Sequence, residues 1–344
     1  MFKRILALFL VLFLVGCGKG EPSKLDLERE TLTLEIGEEY KINYTTNVKK
    51  EVTISLQNDG VLSITNDVIK ALKVGSTTVT IAVGDLSKTL TVVVSAEINL
   101  EVEDLVMVIG GTLELGATSS APLSYTSSDV DVATISENGT ITAIAEGVAV
   151  IQVCLTDDSS VVKNIELKVI SEAERDFNVA KENTEALRNY TLKITIRETV
   201  EETVSESIVY YKFDGNKFEF TNPNKSVFYE TVEGHVYEYE NTLEGYVKSE
   251  VEALPSNFSP FYVGITYDIL DFLNNAYFVK YGKERAFNSI KNQFMATEIN
   301  NIRITVLDGY YATISFNLTI SNKSYGFTFE FIDINETVVR IPTV

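Results

Sequence analysis

The chain has 344 residues, 45% of them hydrophobic, and 49 acidic against 29 basic residues give a formal charge of −20. That length suffices for two or three domains. No block of Lys and Arg follows residue 4 apart from Lys49 and Lys50, which argues against nucleic acid as a partner, and against electrostatic docking on anionic lipid, because both depend on basic clusters.

Lys3 and Arg4 precede an unbroken apolar run from Ile5 to Val15, followed by Gly16 and Cys17. As a helix, a run of this length spans about 16 Å, roughly half of a ~30 Å hydrocarbon core, so it is short for a membrane span. The residues alone read as a secretory signal cleaved near Gly16, or as an N-terminal anchor. Leu14-Val15-Gly16-Cys17 also resembles the lipobox of bacterial lipoproteins. That resemblance implies a signal peptide over residues 1–16, cleavage before Cys17, a diacylglyceryl group on the Cys17 thiol and a lipidated tether over residues 17–23. The partner implied is the outer leaflet of the cytoplasmic membrane, with everything after Cys17 extracytoplasmic. Two acyl chains anchor stably where one is marginal.

An internal repeat follows. Leu32-Thr33-Leu34-Glu35-Ile36-Gly37 is echoed by Met107-Val108-Ile109-Gly110, and Ala71-Leu72-Lys73-Val74-Gly75 by Ala143-Ile144-Ala145-Glu146-Gly147. Each copy, over residues 24–95 and 96–170, is a series of short alternating runs punctuated by Gly, Asn, Asp and Ser. Such runs predict a small antiparallel sandwich, with Gly37, Gly75, Gly110 and Gly147 at turns and Asn138-Gly139 as a hairpin. Tyr125-Thr126-Ser127-Ser128-Asp129, Val132-Ala133-Thr134-Ile135, Asn138-Gly139 and the run to Gly147 make the second copy similar to the bacterial Ig-like domain, group 2. Tyr125 stands where that family often has Trp, and the first copy has Gln57-Asn58-Asp59-Gly60 in place of the Ser-Ser-Asp segment. The resemblance implies a surface-protein stalk. Asp129 with Asp131, and Asp157 with Asp158, are too few oxygens for a calcium site, which takes six to eight. No metal or other cofactor is expected.

Composition changes at Ser171: all but six of the Phe and Tyr residues lie beyond it. Ser171-Glu172-Ala173-Glu174 has the spacing of a capping box, and Phe177, Ala180, Thr184 and Leu187 recur at helical spacing, predicting a helix that ends near Asn189. Alternating runs then predict a meander through residue 251. Helices are expected over residues 267–273 and 286–295, and three more strands after residue 302. The fold class is therefore mainly β, with two tandem Ig-like β-sandwiches and an α+β domain over residues 171–344 built on a curved antiparallel sheet with packed helices. From residues 183–195, Tyr325-Gly326-Phe327-Thr328-Phe329-Glu330-Phe331, Asn335-Glu336-Thr337 and Ile341-Pro342, this domain resembles the lipoprotein-carrier half-barrel of the LolA/LolB-like and LppX-like superfamily. That implies an apolar cavity for acyl chains. Phe218, Phe220, Tyr237, Tyr239, Phe327, Phe329 and Phe331 are the candidate ligand contacts. They would line a cavity or pack a solid core, and Tyr237 with Tyr239 would otherwise form a flat face for a protein or glycan.

No catalytic set emerges, and an enzyme is not expected. The single histidine, His235, sits in an alternating run, and there is no Gly-x-Ser-x-Gly elbow, phosphate loop or dinucleotide fingerprint. Glu238 and Glu240 read as a solvated strand face. Cys154 reads as a small buried hydrophobe and, with Cys17 lipidated, has no disulfide partner. Replacing Cys17 by Ser should move the whole chain from the membrane fraction to the soluble fraction without changing its thermal unfolding, which fractionation and immunoblotting would check.

Overall fold

The computed structural model describes residues 22–254 and 265–344, which form two compact units that meet between Val169 and Ile170 in the chain. Cys17 and the apolar run before it lie outside the described residues, as do Pro255 and Pro260. Among the described residues no helix is long and apolar enough to cross a membrane.

The first unit is two sandwiches with the same plan. In the first, Thr31–Glu35, Leu86–Ser95, Gly75–Val83 and Val52–Leu56 lie side by side in that order, opposite a sheet of Glu39–Lys41, Val68–Ala71 and Leu62–Thr65. In the second, Asp104–Val108, Val162–Ile170, Gly147–Leu155 and Leu123–Ser127 face Thr112–Glu114, Thr140–Ala143 and Ala133–Ile135. Alternation buries Val79, Ile81 and Val83 in one core and Ala149, Ile151, Val153 and Leu155 in the other. Ile36 packs against both cores, Val74 of the first module packs on the second, and Lys73 Nζ sits 2.7 Å from Asp157. The ion pair is solvent-exposed and contributes at most about 1 kcal/mol, so the apolar contact carries this joint.

The repeat extends to single hydrogen bonds. The Val61 carbonyl accepts from the N–H groups of Leu72 and Lys73, and the Val132 carbonyl accepts from those of Ile144 and Ala145. Gly37 and Gly110 are turn glycines with φ of +90° and +81°. Gly75 and Gly147 instead open the long strands, contrary to the expectation of turns. A Cβ there would lie 3.2 Å from Val61 Cγ2, a tight contact, and 2.7 Å from Val132 Cγ2, so at 147 close approach to the valine requires the glycine. Cys154 is only half-buried, because inward-facing Val153 and Leu155 turn it to the outer side, where its Sγ is 3.0 Å from Ser124 Oγ.

The second unit opens with α1 (Glu172–Ala186), capped by Ser171, whose Oγ accepts from the Glu174 N–H. One antiparallel sheet follows: β1 (Asn189–Val200), β2 (Thr203–Asp214), β3 (Lys217–Thr221), β4 (Ser226–Val232), β5 (His235–Thr242), β6 (Gly245–Val251), β7 (Leu270–Leu273), β8 (Ala276–Val279), β9 (Glu298–Leu307), β10 (Tyr310–Ile320) and β11 (Lys323–Ile332). Its spatial order is β6-β5-β4-β3-β2-β1-β11-β10-β9-β8-β7. The meander thus grows outward from β1, and a second meander starts at the far edge and returns to pair β11 with β1. Helix α2 (Asn288–Gln293) precedes β9. The helix expected over residues 267–273 is a 3₁₀ turn, Tyr267–Ile269, running into β7. Asn274 and Asn275 both take positive φ and turn the chain into β8, a two-residue hairpin that outweighs the apolar periodicity.

Gly147→Ala should destabilise the second sandwich by about 1–3 kcal/mol through overpacking against Val132, measurable as a lowered unfolding midpoint.

Candidate functional site

Register assigns every aromatic candidate to one of two faces of the sheet. On β11, Phe327 and Phe329 stand opposite Phe316 and Ile314 of β10, and Phe327, Phe329 and Phe331 stand opposite Ile196, Ile194 and Leu192 of β1. On β3, Phe218 stands opposite Phe213 and Tyr229, and Phe220 opposite Tyr211 and Val227. These side chains share the face on which the helices pack, and they fall into two adjoining clusters. One is centred on Phe316, Phe327, Phe329 and Phe331, the other on Phe218, Val227 and Tyr229, and Tyr211 and Phe213 touch both. The rings run in contact from one cluster to the next: Phe213–Phe218 at 4.9 Å, Tyr190–Phe213 at 4.6 Å and Tyr190–Phe331 at 5.9 Å between centroids.

Helix α1 covers the β9–β10 part of this face. Phe177, fully buried, has the rings of Tyr267, Tyr277 and Tyr311 at 6.1, 5.1 and 5.7 Å. One turn pair further on, Thr184 is 1% exposed, donates to the Ala180 carbonyl at 2.6 Å and accepts from the Tyr311 N–H at 2.9 Å. Phe316 stacks against Phe327 and Phe329, each at 5.5 Å, and Phe294 lies 5.1 Å from Phe327. Phe327, Phe329 and Phe331 are buried against these neighbours. Such pairs contribute about 0.5–1.5 kcal/mol each beyond their area. Burial pushes the Tyr277 hydroxyl up to about 12 and raises Tyr211, Tyr229 and Tyr311 in the same direction.

Tyr237 and Tyr239 lie on the other face. Glu238, between them, is directly opposite Tyr229 and so points to the helix side. It is half-buried rather than solvated, and after burial itself its charge is the next cause of the raised Tyr229 hydroxyl. On the outer face, Phe228, Tyr239 and Lys248 are neighbours across β4, β5 and β6. Lys248 Nζ sits 4.0 Å from the Tyr237 ring centroid and 5.4 Å from that of Tyr239. Phe228 and Tyr246 meet edge-on at 5.7 Å. Tyr237 and Phe228 remain partly exposed, whereas Tyr239 is 4% exposed, a correction to the expectation of an exposed pair. The Tyr239 hydroxyl donates to Glu230 at 3.4 Å, and His235 Nδ1 is 2.7 Å from Glu250 on the next strand. The sequence reading missed Phe228, Tyr246 and Lys248, because pairing register decides their grouping and no local pattern reports it.

The loop carboxylates of the second sandwich serve their own turns. Asp129 Oδ1 accepts from the Asp131 N–H, and Asp158 Oδ1 accepts from the N–H and Oγ of Ser160, which lowers its pKa. Among the described residues no group of three or more His, Cys, Asp or Glu side chains is arranged to hold a metal ion.

No protein-family model and no curated protein matches the chain. Among solved structures, domains 4 and 5 of the S-layer protein SbsC are similar at 16% identity and a TM-score of 0.20, over 38% of this chain and 82% of that one. The human mucin-like protocadherin EC1-2 is similar at 10% identity and a TM-score of 0.19, over 43% of this chain and 98% of that one. A C-terminal fragment of intimin, solved with the intimin-binding domain of its translocated receptor, is similar at 14% identity and a TM-score of 0.23, over 42% of this chain and 62% of that one. Likeness at this level carries no inference about function, and the sandwich assignment rests on the sheets described above.

Thr184→Val keeps the side-chain shape but leaves the buried Tyr311 N–H without its acceptor. It should cost about 1–3 kcal/mol, read as a lowered urea midpoint for the C-terminal unit.

Proposed function

We propose that the chain is an extracytoplasmic, lipid-anchored interaction protein. Cys17 carries the lipid, the two sandwiches form a stalk, and the C-terminal sheet recognises a protein or glycan through the outer face of β4–β6. The observation that carries this reading is the division of aromatics between the two faces. On the helix side the rings pack on one another and on α1, whereas on the outer face Phe228, Tyr237 and Tyr246 stay partly exposed beside Lys248. Partly exposed aromatics are enriched at recognition surfaces. The alternative is an apolar ligand held between sheet and helices, against Phe327, Phe329 and Phe331.

The full chain should bind whole cells or an array of surface polysaccharides. Tyr237→Ala should weaken that binding about tenfold, the effect of losing about 1.4 kcal/mol, with an unchanged unfolding midpoint. Stoichiometric lipid in native mass spectra of the wild-type chain, with no effect of Tyr237→Ala, would instead favour the apolar-ligand reading.

A further inference from the structure

Among the described residues, strand β6 ends the sheet, paired with β5 along one side only. Its residues run Gly245-Tyr246-Val247-Lys248-Ser249-Glu250-Val251, followed by Glu252. Tyr246, Lys248 and Glu250 belong to the outer face, because Lys248 reaches the rings of Tyr237 and Tyr239 and Glu250 reaches His235. Val247, Ser249 and Val251 therefore belong to the helix-side face, and Val251 packs on the Phe218 cluster. An unpaired edge strand offers its free N–H and C=O groups to another strand, and charged side chains on it restrict which strands are accepted.

We propose that β6 pairs antiparallel with β6 of a second copy of this chain, about a two-fold axis through Ser249. In that register Ser249 faces its own copy, Lys248 faces Glu250 twice, Val247 faces Val251 twice, and Tyr246 faces Glu252. Directly opposed residues of an antiparallel pair share a face, so the salt pairs lie on the outer face and the valine pairs on the helix side, each continuing the pattern of its own sheet. The neighbouring symmetric registers do not work. Centring on Lys248 opposes two lysines, and centring on Glu250 opposes two glutamates, which is unfavourable across strands. A register offset by one residue sets the outer face of one copy against the helix side of the other. The edge is thus complementary to itself in one alignment, as a two-fold interface requires. Its Lys and Glu also exclude indiscriminate strands. The partner would bring a second Tyr246–Lys248 group onto the same outer face.

The test is the association state of the full chain in detergent, by sedimentation. The wild-type chain should dimerise reversibly. Lys248→Glu and Glu250→Lys should each raise the dimer dissociation constant at least tenfold, since each opposes like charges twice. An equimolar mixture of the two variants should restore dimers, because Glu at 248 and 250 in one chain then meets Lys at both positions in the other. The register has its own readout. Ser249→Cys should give a disulfide-linked dimer on mild oxidation, with Val247→Cys remaining monomeric on non-reducing gels. A wild-type chain that stays monomeric at every concentration overturns the proposal. So does a dimer unaffected by both charge variants, a mixture that fails to restore association, or equal cross-linking from positions 247 and 249. None of these outcomes depends on the identity of a surface ligand.

Discussion

The docking of α1 onto the sheet is the contact on which the C-terminal unit depends. A sheet with one apolar face is stable only when that face is covered, and α1 covers it with a narrow stripe. Phe177 sits among three tyrosine rings, and Thr184 joins the helix to β10 by one hydroxyl that both donates and accepts. The hydroxyl bonds to the Tyr311 N–H inside the core, where an unpaired donor is costly. The end of the chain is tied in on the other side. Asn189 holds Thr337 through both its amide groups, Thr191 and Thr337 share a buried hydroxyl contact, and Asp214 accepts from the Val339 N–H. These bonds fix the start of β1 and the end of β2.

The two sandwiches solve a simpler problem with the same device twice. Each closes its core with a valine, Val61 or Val132, whose carbonyl takes two N–H groups and whose methyls rest on a glycine. At Gly147 that contact leaves no room for a Cβ, and at Gly75 it leaves only a tight one. The joint through Ile36 and Val74 adds an apolar connection between the cores. A tether made of such modules keeps its length better than a flexible linker, which fits the proposed role as a stalk.

In the C-terminal sheet, alternation places Phe218, Phe220, Phe327, Phe329 and Phe331 toward the helices and Tyr237 and Tyr239 away from them. The seven candidates thus belong to two different surfaces. The first is a ring-packed interior. The second is a smaller cluster in which Lys248 sits over Tyr237, Tyr239 is buried, and Tyr237 and Phe228 stay partly exposed.

Local chemistry was enough for much of the architecture. The glycine spacing marks the repeat, alternation marks the strands, and the Ser171 cap with the Phe177–Ala180–Thr184 stripe marks α1, since each signal arises within a few residues along the chain. Helix and strand remain ambiguous in a short apolar run such as Asp268-Ile269-Leu270-Asp271-Phe272-Leu273, where Asn274 and Asn275 tip the balance toward a hairpin. The pairing of β11 with β1, the meeting of Phe316 with Phe327 and the placement of Lys248 over Tyr237 join residues far apart in the chain or on separate strands. Strand register and the order of strands in the sheet decide them. Those are properties of the whole packed sheet, in which a shift of one residue would exchange its two faces.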